Sequence, residues 1–380
     1  MITEVPTPAE FQAAGFNQLY LAWQLAIRAV EDLEFAEENV DLGEDQAAAA
    51  SEYWAKSQPA MANAFGLIQQ AMEMSLKGRI ASVSPFLLIP RDSRDWPKGV
   101  DTGAVPFSEF RTLDAADLIK VHNTFIAPAL DEEFRSFWEE VRRDRNKIMH
   151  SVSPRSFEPA TLVRALLTAA TALFSDVRWS QQLLDMEENG KYAAFGMDDG
   201  SQNIVMRQMD IAVRHLTPSE CKGLLGHDKK RRSYVCPNCH DQANRDWQTS
   251  WPKLAQLKTK APGELRLHCL VCDATVETER MACPGPGCEG DVVFEGRCMT
   301  CLMMQDHPSN FEFSLVDDEL GREHEYRFEY RRTGDRDDVT RGLPSEDAAR
   351  EYGRLSMLAL HLADWEKGNC SSWVGRSLSA

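Results

Sequence analysis

The stretch DEEFRSFWEEVRRDRNKIMH, residues 131–150, decides how the first half of this 380-residue chain is read. Asp131 offers a side-chain oxygen to the open amides of a first helical turn, and Glu132 and Glu133 set acid at the positive end of the helix dipole. Phe134, Phe137, Trp138, Val141 and Ile148 then recur at helical spacing, which predicts an amphipathic helix with one buried face. Its end is the polar hexapeptide Arg145-Asn146-Lys147-Ile148-Met149-His150. At 3.6 residues per turn, Arg145 and His150 stand about 140° apart. They share a face only if the helix ends or bends between them, or if a second copy supplies the complementary half. Asn146 and His150, four apart, do share a face, and so do Arg143 and His150, seven apart.

An Arg followed by a His after four to six residues is weak evidence alone. With 29 Arg and 9 His in the chain, composition produces roughly two such pairs by chance. The pairs present are Arg143 with His150, Arg145 with His150, and Arg354 with His361. The last lies in an ordinary amphipathic pattern and has no Asn after its Arg, so context has to discriminate. Long helical stretches precede the hexapeptide, at about 14–37 and at 46–82 with a break expected at Pro59, and another follows at about 158–178.

With Arg145, Asn146 and His150 in that setting, residues 1–180 resemble the HEPN superfamily, whose motif is R-x4-6-H with Asn commonly following the Arg. The segment Ala71-Met72-Glu73-Met74-Ser75-Leu76-Lys77 looks like the second helix of many such domains, which often carries a Glu and a Lys four apart. That spacing equally suits a plain surface ion pair. The resemblance implies an all-α bundle acting as a metal-independent endoribonuclease, usually as a homodimer with two motifs facing each other. It casts His150 as the base, or as the acid for the leaving 5′-oxygen, and Arg145 as the phosphate clamp, with Asn146 orienting either. A His with a pKa near 6.5 suits such proton transfer at neutral pH, and a guanidinium binds phosphate bidentately. Products would be a 2′,3′-cyclic phosphate and a 5′-hydroxyl. Arg142 and Arg143 complete a basic cluster there, with Glu73 and Lys77 in support. The plainer alternative is that His150 caps helix carbonyls. The Tyr found two residues after the His in HEPN toxins silenced by a partner nucleotidyltransferase is replaced here by Val152, after Ser151, which argues against that silencing mechanism.

Cysteine marks the second half, since all ten lie after residue 220. Eight form paired knuckles: Cys236 with Cys239, Cys269 with Cys272, Cys283 with Cys288, and Cys298 with Cys301. A short turn lets both thiolates face one tetrahedral ion, and two knuckles complete a Cys₄ site, so two structural zinc ions are expected and no catalytic metal. Sequential pairing closes loops of 240–268 and 289–297 and looks like two zinc ribbons in tandem; crossed or nested pairing is the alternative. His240 and His268 adjoin knuckles as substitute ligands or bystanders. Cys221 and Cys370 read as buried thiols.

The net charge of −17 opposes nucleic-acid binding at first sight, because counterion release needs cations. Residues 229–260 nevertheless hold eight bases (Lys229, Lys230, Arg231, Arg232, Arg245, Lys253, Lys258, Lys260) against Asp241 and Asp246. With Tyr234, Trp247 and Trp251 interleaved, this stretch either tracks an RNA backbone and stacks bases, or is a solvated loop between knuckles.

A composition 43% hydrophobic supports two or three domains with cores. The expected fold is multidomain α+β: the helical bundle at 1–180, a helical connector at 181–217, a zinc-binding region at 218–305, and a strand/helix segment at 306–380. Pro85 to Pro106 reads as an ordered loop or a flap. Phe311–Leu315 and His324–Arg331 alternate as strands, Thr333-Gly334-Asp335 supplies turn chemistry, and Ser345 caps a helix to about Trp365. No apolar h-region opens the chain, and the longest apolar run, Leu162–Phe174, is interrupted by Arg164 and too short to span a bilayer. A cytoplasmic protein with no membrane partner is the expectation. Two functions follow: a toxin-like or abortive-infection (antiviral defence) ribonuclease with an antitoxin or trigger partner, or a non-catalytic dimerisation or nucleotide-binding scaffold whose zinc ribbons bind nucleic acid or protein.

Overall fold

The structure is a computed structural model that describes residues 1–40, 45–90, 92–150, 156–175, 178–190, 200–244, 251–258, 265–285, 287–304, 312–317, 324–332, 335–343, 345–353 and 355–356. It is mostly helical with small sheets, and it divides into two compact units, Met1–Leu183 with Ile211–Gly226, and Leu184–Asp210 with His227–Ala380. Among the described residues, no helix is long and apolar enough to cross a membrane.

The first unit is built on two long helices, α1 (Pro8–Asn39) and α2 (Gln46–Val83). A capping box starts α1: Glu10 N–H donates to Thr7 Oγ1 at 3.2 Å and Thr7 N–H donates back to Glu10 Oε2 at 2.7 Å, a pattern whose cap contributes about 1 kcal/mol. The two helices run antiparallel. Tyr53 Oη donates to Ala29 O at 2.7 Å near one end, while Gly15 lies beside Ala71 and Gly78 beside Phe11 toward the other. Leu19, Trp23, Ile27, Met61, Ile68, Met72, Leu76 and Ile80 fill the seam and are all but inaccessible to solvent. Burying each such side chain is worth about 1.5–3 kcal/mol. The break expected at Pro59 is absent, because α2 continues through it. Proline removes one amide and crowds the preceding turn, but the helix is held on both sides of it, before by the bond from its Tyr53 to Ala29 of α1 and after by buried Met61 and Phe65.

Helices α3 (Ala115–Phe125), α4 (Glu132–His150) and α5 (Pro159–Leu173) complete this core with α2. The last carbonyls of α5, which have no partner within the helix, are taken up from outside it. Arg79 Nη2 donates to Ala172 O at 2.9 Å, and Gln12 Nε2 and Ser75 Oγ donate to Leu173 O at 3.2 and 3.3 Å. The proline-rich segment is tied down rather than loose over its described residues. Val105–Pro106 (β2) pairs in parallel with Ile2–Thr3 (β1), Leu113 N–H donates to Leu88 O at 2.8 Å, and Phe107 and Phe110 are buried.

The stretch expected as a connector holds α6 (Trp179–Glu188) and α7 (Ser201–His215), and the division between units falls within both helices. Helix α8 (Pro218–Leu225) returns to the first unit, where Glu220 pairs with Arg164.

The second unit contains α9 (Pro237–Gln242) and three small antiparallel sheets. The first orders β3 (Ala255–Leu257), β4 (Arg266–Cys269) and β5 (Thr275–Glu277); the second orders β6 (Glu279–Arg280), β7 (Val292–Phe294) and β8 (Arg297–Cys298). The third is a meander of β9 (Glu312–Asp317), β10 (His324–Arg332) and β11 (Asp335–Leu343). Strand β11 had no counterpart in the sequence reading, because DRDDVTRGL is charge-rich and its pairing to β10 decides it. Ser345 caps the next helix as expected, its Oγ accepting from Ala348 N–H at 3.2 Å. Residues 333–334, and the predicted end of that helix, lie outside the described residues.

A β-carbon at Gly15 would stand 2.9 Å from Ala71 O, 3.2 Å from Met74 Cβ and 3.3 Å from Phe174 Cζ. Gly15→Ala is therefore expected to push α1 off α2 and cost about 1–3 kcal/mol, measured as a shift of the denaturant midpoint at unchanged slope.

Candidate functional site

Helix α4 begins as its sequence demands, with Phe134 N–H donating to Asp131 Oδ1 at 2.8 Å. Phe134, Trp138 and Val141 are buried and seat it, while Phe137 and Ile148 are half-buried. The helix runs without interruption to His150. No end or bend therefore brings Arg145 and His150 together within one chain, and the 140° separation stands. The backbone positions of Arg143, Asn146, Lys147 and His150 fall on one stripe by the same arithmetic. The side chain of His150, with Ser151 and Val152, lies outside the described residues.

The bases at this end differ in what holds them. Arg142 pairs with Glu139 at 2.7 Å, Lys147 with Asp144 at 3.7 Å, and half-exposed Arg145 donates to Asn146 Oδ1 at 3.3 Å. Arg143 is exposed and has no ion pair among the described residues. It lines an open cleft of about 1390 Å³ between α2 and α4, together with Trp54, Gln58, Glu140, Lys147 and Phe157 among others. Arg145 and Asn146 are not among the residues lining it. The floor is positioned from α2: Phe157 N–H donates to Gln58 Oε1 at 2.7 Å, Gln58 Nε2 donates to Phe157 O at 3.3 Å, and the Phe157 ring packs on Phe65 at 5.1 Å. Sequence reasoning had no signal for this bracket, whose partners are 99 residues apart.

Glu73 and Lys77 do not join the cleft. Its α2 wall reaches Ala62, and eleven more residues of helix carry Glu73 about 16 Å along the axis. Their pairing is real, with Lys77 Nζ 2.8 Å from Glu73 Oε1 and Gln69 Nε2 donating to Glu73 Oε2 at 3.2 Å. Lys77 is buried and Glu73 half-buried, so this is a part-buried ion pair and not the plain surface pair that the spacing also allowed. Removing either partner of such a pair strands the other charge.

In the second unit the cysteines assemble as two sets by sequential pairing, Cys236, Cys239, Cys269 and Cys272, then Cys283, Cys288, Cys298 and Cys301, with the sulfurs of each set within 4.8 Å of one another. The Sγ···Sγ distances are 3.6 Å (Cys236–Cys272), 3.5 Å (Cys239–Cys269), 3.5 Å (Cys283–Cys301) and 3.9 Å (Cys288–Cys298). A tetrahedral ion with metal–sulfur bonds of about 2.3 Å has edges of about 3.8 Å, so the spacing fits zinc. The backbone is arranged for thiolates. Amides two residues on donate to Cys269, Cys283, Cys288 and Cys298, from Val271 (3.2 Å), Gly285 (3.4 Å), Gly290 (3.3 Å) and Thr300 (3.4 Å).

Electrostatics within each set point the same way. Hydrogen bonds from its neighbours, Cys236 foremost, hold the Cys272 thiol well below the ordinary range, and the Cys301 side chain draws Cys298 down to about 4. In the same sets Cys236 pushes the Cys239 and Cys269 thiols up, and Cys298 pushes Cys301 up. A dication removes that repulsion and lets all four become thiolates. Four thiolates also leave no open coordination position, which makes both sites structural.

Neither adjoining histidine belongs to a set. His240 is buried against the Trp251 ring at 4.4 Å, and His268 Nε2 is 2.8 Å from Asp273 Oδ1. Cys221 is buried in α8, outside both sets, and Cys370 lies outside the described residues. Of the basic run, Lys229, Lys230 and Arg232 are exposed. Arg231 donates to Leu257 O, and Arg232 stands 3.9 Å from Asp291 and over the Tyr234 ring at 5.8 Å, so both serve the local fold. Arg245, Asp246, Trp247 and Lys260 are outside the described residues.

Comparison with protein-family models, curated proteins and solved structures finds no match to this chain.

Elemental analysis of the purified chain is expected to find two zinc ions per molecule. At Gly290 a β-carbon would stand 2.5 Å from Cys298 Sγ and 2.9 Å from Thr300 Cβ, so Gly290→Ala is expected to lower the content to one while the first set stays loaded.

Proposed function

We propose that the helical unit is a HEPN-like, metal-independent endoribonuclease whose site lies at the end of α4. One observation carries this reading: Arg143, a cation with no ion pair among the described residues, lines an open cleft and shares a helical stripe with Asn146 and His150. In this scheme His150 takes the proton of a ribose 2′-hydroxyl, whose oxygen attacks the adjacent phosphorus. The bond from phosphorus to the 5′-oxygen breaks, and the proton is delivered to that leaving oxygen. This leaves a 2′,3′-cyclic phosphate and a 5′-hydroxyl, with atoms and charge balanced and no oxidant needed. A guanidinium holds the phosphate and offsets the charge gathering on its oxygens. The cleft favours Arg143 for that role, with Asn146 on the same stripe and Arg145 outside the cleft. The zinc-bearing unit would then supply recognition, with the exposed Lys229 and Lys230 of its basic run meeting RNA. The natural setting for such an enzyme is a toxin or an abortive-infection effector, working as a homodimer and restrained by an antitoxin or released by a trigger.

A second reading is favoured by a different observation. Arg145, the Arg of the sequence motif, is engaged with Asn146 and lies 140° from His150 on an unbroken helix. On that reading the helical unit is a non-catalytic scaffold and the zinc modules bind nucleic acid or protein.

Incubating the chain with total RNA in EDTA, briefly enough to spare the structural zinc, separates the two. The nuclease reading expects cyclic-phosphate ends from wild type, none from His150→Ala, a loss of about 10²–10³ in rate for Arg143→Ala and a smaller loss for Arg145→Ala. Cutting by His150→Ala refutes the assignment, and silence from every variant supports the scaffold. Independently, reversing charge at Lys229 and Lys230 is expected to weaken RNA binding and flatten its log–log salt slope by about 1.4, at roughly 0.7 per phosphate contact for single strands.

A further inference from the structure

Four of the large apolar side chains exposed on this chain lie on α1 or at its end: Leu21, Leu25, Phe35 and Val40, with Phe35 68% and Leu21 52% exposed. Between them stand Arg28 and Asp32, an exposed pair 3.9 Å apart. At 100° per residue Leu21, Leu25, Arg28, Asp32 and Phe35 fall within one stripe about 80° wide, on the side of α1 away from the seam residues Leu19, Trp23, Ile27 and Val30. A stripe of this composition costs solubility and holds no core, so it calls for a cover.

We propose that the cover is a second copy of the same helix, packed antiparallel about a two-fold axis near residue 30. In a two-fold contact, residue i meets j and j meets i. With the axis at 30, partners add to about 60. Arg28 then faces Asp32 of the second copy, Leu25 faces Phe35, and Leu21 reaches the Asn39–Val40 end. By symmetry the Arg28–Asp32 and Leu25–Phe35 contacts each form twice, once on either side of the axis. The parallel arrangement fails the same test, because it sets Asp32 against Asp32 and crowds together Glu31, Glu34, Glu37 and Glu38, the acidic last turns of both copies. Antiparallel packing separates those turns and opposes the helix dipoles favourably. The matched stretch is about 29 Å long and one helix wide, which places the interface among small, concentration-dependent ones, not permanent ones. None of its residues lines the α2–α4 cleft, and the inference does not depend on the helical unit being a nuclease.

Sedimentation equilibrium of the full chain across a wide concentration range tests this, with circular dichroism to verify folding. The expected result is a reversible monomer–dimer equilibrium. Phe35→Lys, at a position too exposed to support the fold, should raise the dissociation constant at least about a hundredfold, since symmetry removes its contact twice. Arg28→Asp should weaken the dimer by placing Asp against Asp32, and the double variant Arg28→Asp with Asp32→Arg should restore it. A chain monomeric at every concentration, or a dimer indifferent to Phe35→Lys, overturns the proposal; a double variant as weak as the single one overturns the antiparallel register.

Discussion

The seam between α1 and α2 is the constraint on which the helical unit depends. Two helices of 32 and 38 residues lie in contact along their lengths, and glycine at positions 15 and 78 is what lets their backbones approach there. The cleft and the end of α5 are both referred to α2. Its first half forms one wall of the cleft, its Gln58 brackets Phe157 at the floor, and its Ser75 and Arg79 close the end of α5. Because α2 passes Pro59 unbroken, that wall is rigidly connected to the buried core that begins at Met61. A hinge at the proline would have left the cleft without a fixed geometry.

The zinc-binding unit rests on a different economy. Its strands are two to four residues long around the knuckles, too short to stabilise sheets by burial alone. Metal bound at the two cysteine sets would supply what the core cannot, since structural zinc contributes about 10–16 kcal/mol that is in effect folding free energy. The two sets are also joined through backbone. Val235 N–H donates to Met299 O at 2.8 Å, one residue from a ligand on each side, and the Tyr234 hydroxyl donates to Asp291 at 3.2 Å. The backbone around one cysteine set is thereby held by the backbone around the other.

The site at the end of α4 shows how helical phase sorts neighbouring bases into different employment. Arg142, Arg143, Arg145 and Lys147 are one cluster in the sequence, yet the helix presents them at different angles. Arg142 and Lys147 are neutralised by acids three residues away, Arg145 leans on Asn146, and Arg143 alone of the three arginines reaches the cleft. The pair of Glu73 and Lys77 stands apart by the same logic, being displaced along α2 from the cleft with Lys77 buried and Glu73 half-buried.

What the sequence alone determined are the features that local chemistry enforces. The Asp131 cap, the buried face of Phe134, Trp138 and Val141, the Ser345 cap and the knuckles themselves are all set by residues within a turn or two of each other. Sequential knuckle pairing, which looks like two zinc ribbons in tandem, is the pairing found, and it closes short loops at low entropic cost. Tertiary structure decided the rest, because each case turns on a partner remote in the chain. Packing on α1 carries α2 across Pro59, pairing with β10 makes a strand of the acidic β11, and the bracket from Gln58 to Phe157 forms the cleft floor. The choice of Arg143 over Arg145 for that cleft also waits on which face of α4 meets α2, and periodicity alone leaves that open because it fixes angles between residues and not the direction in which any of them points.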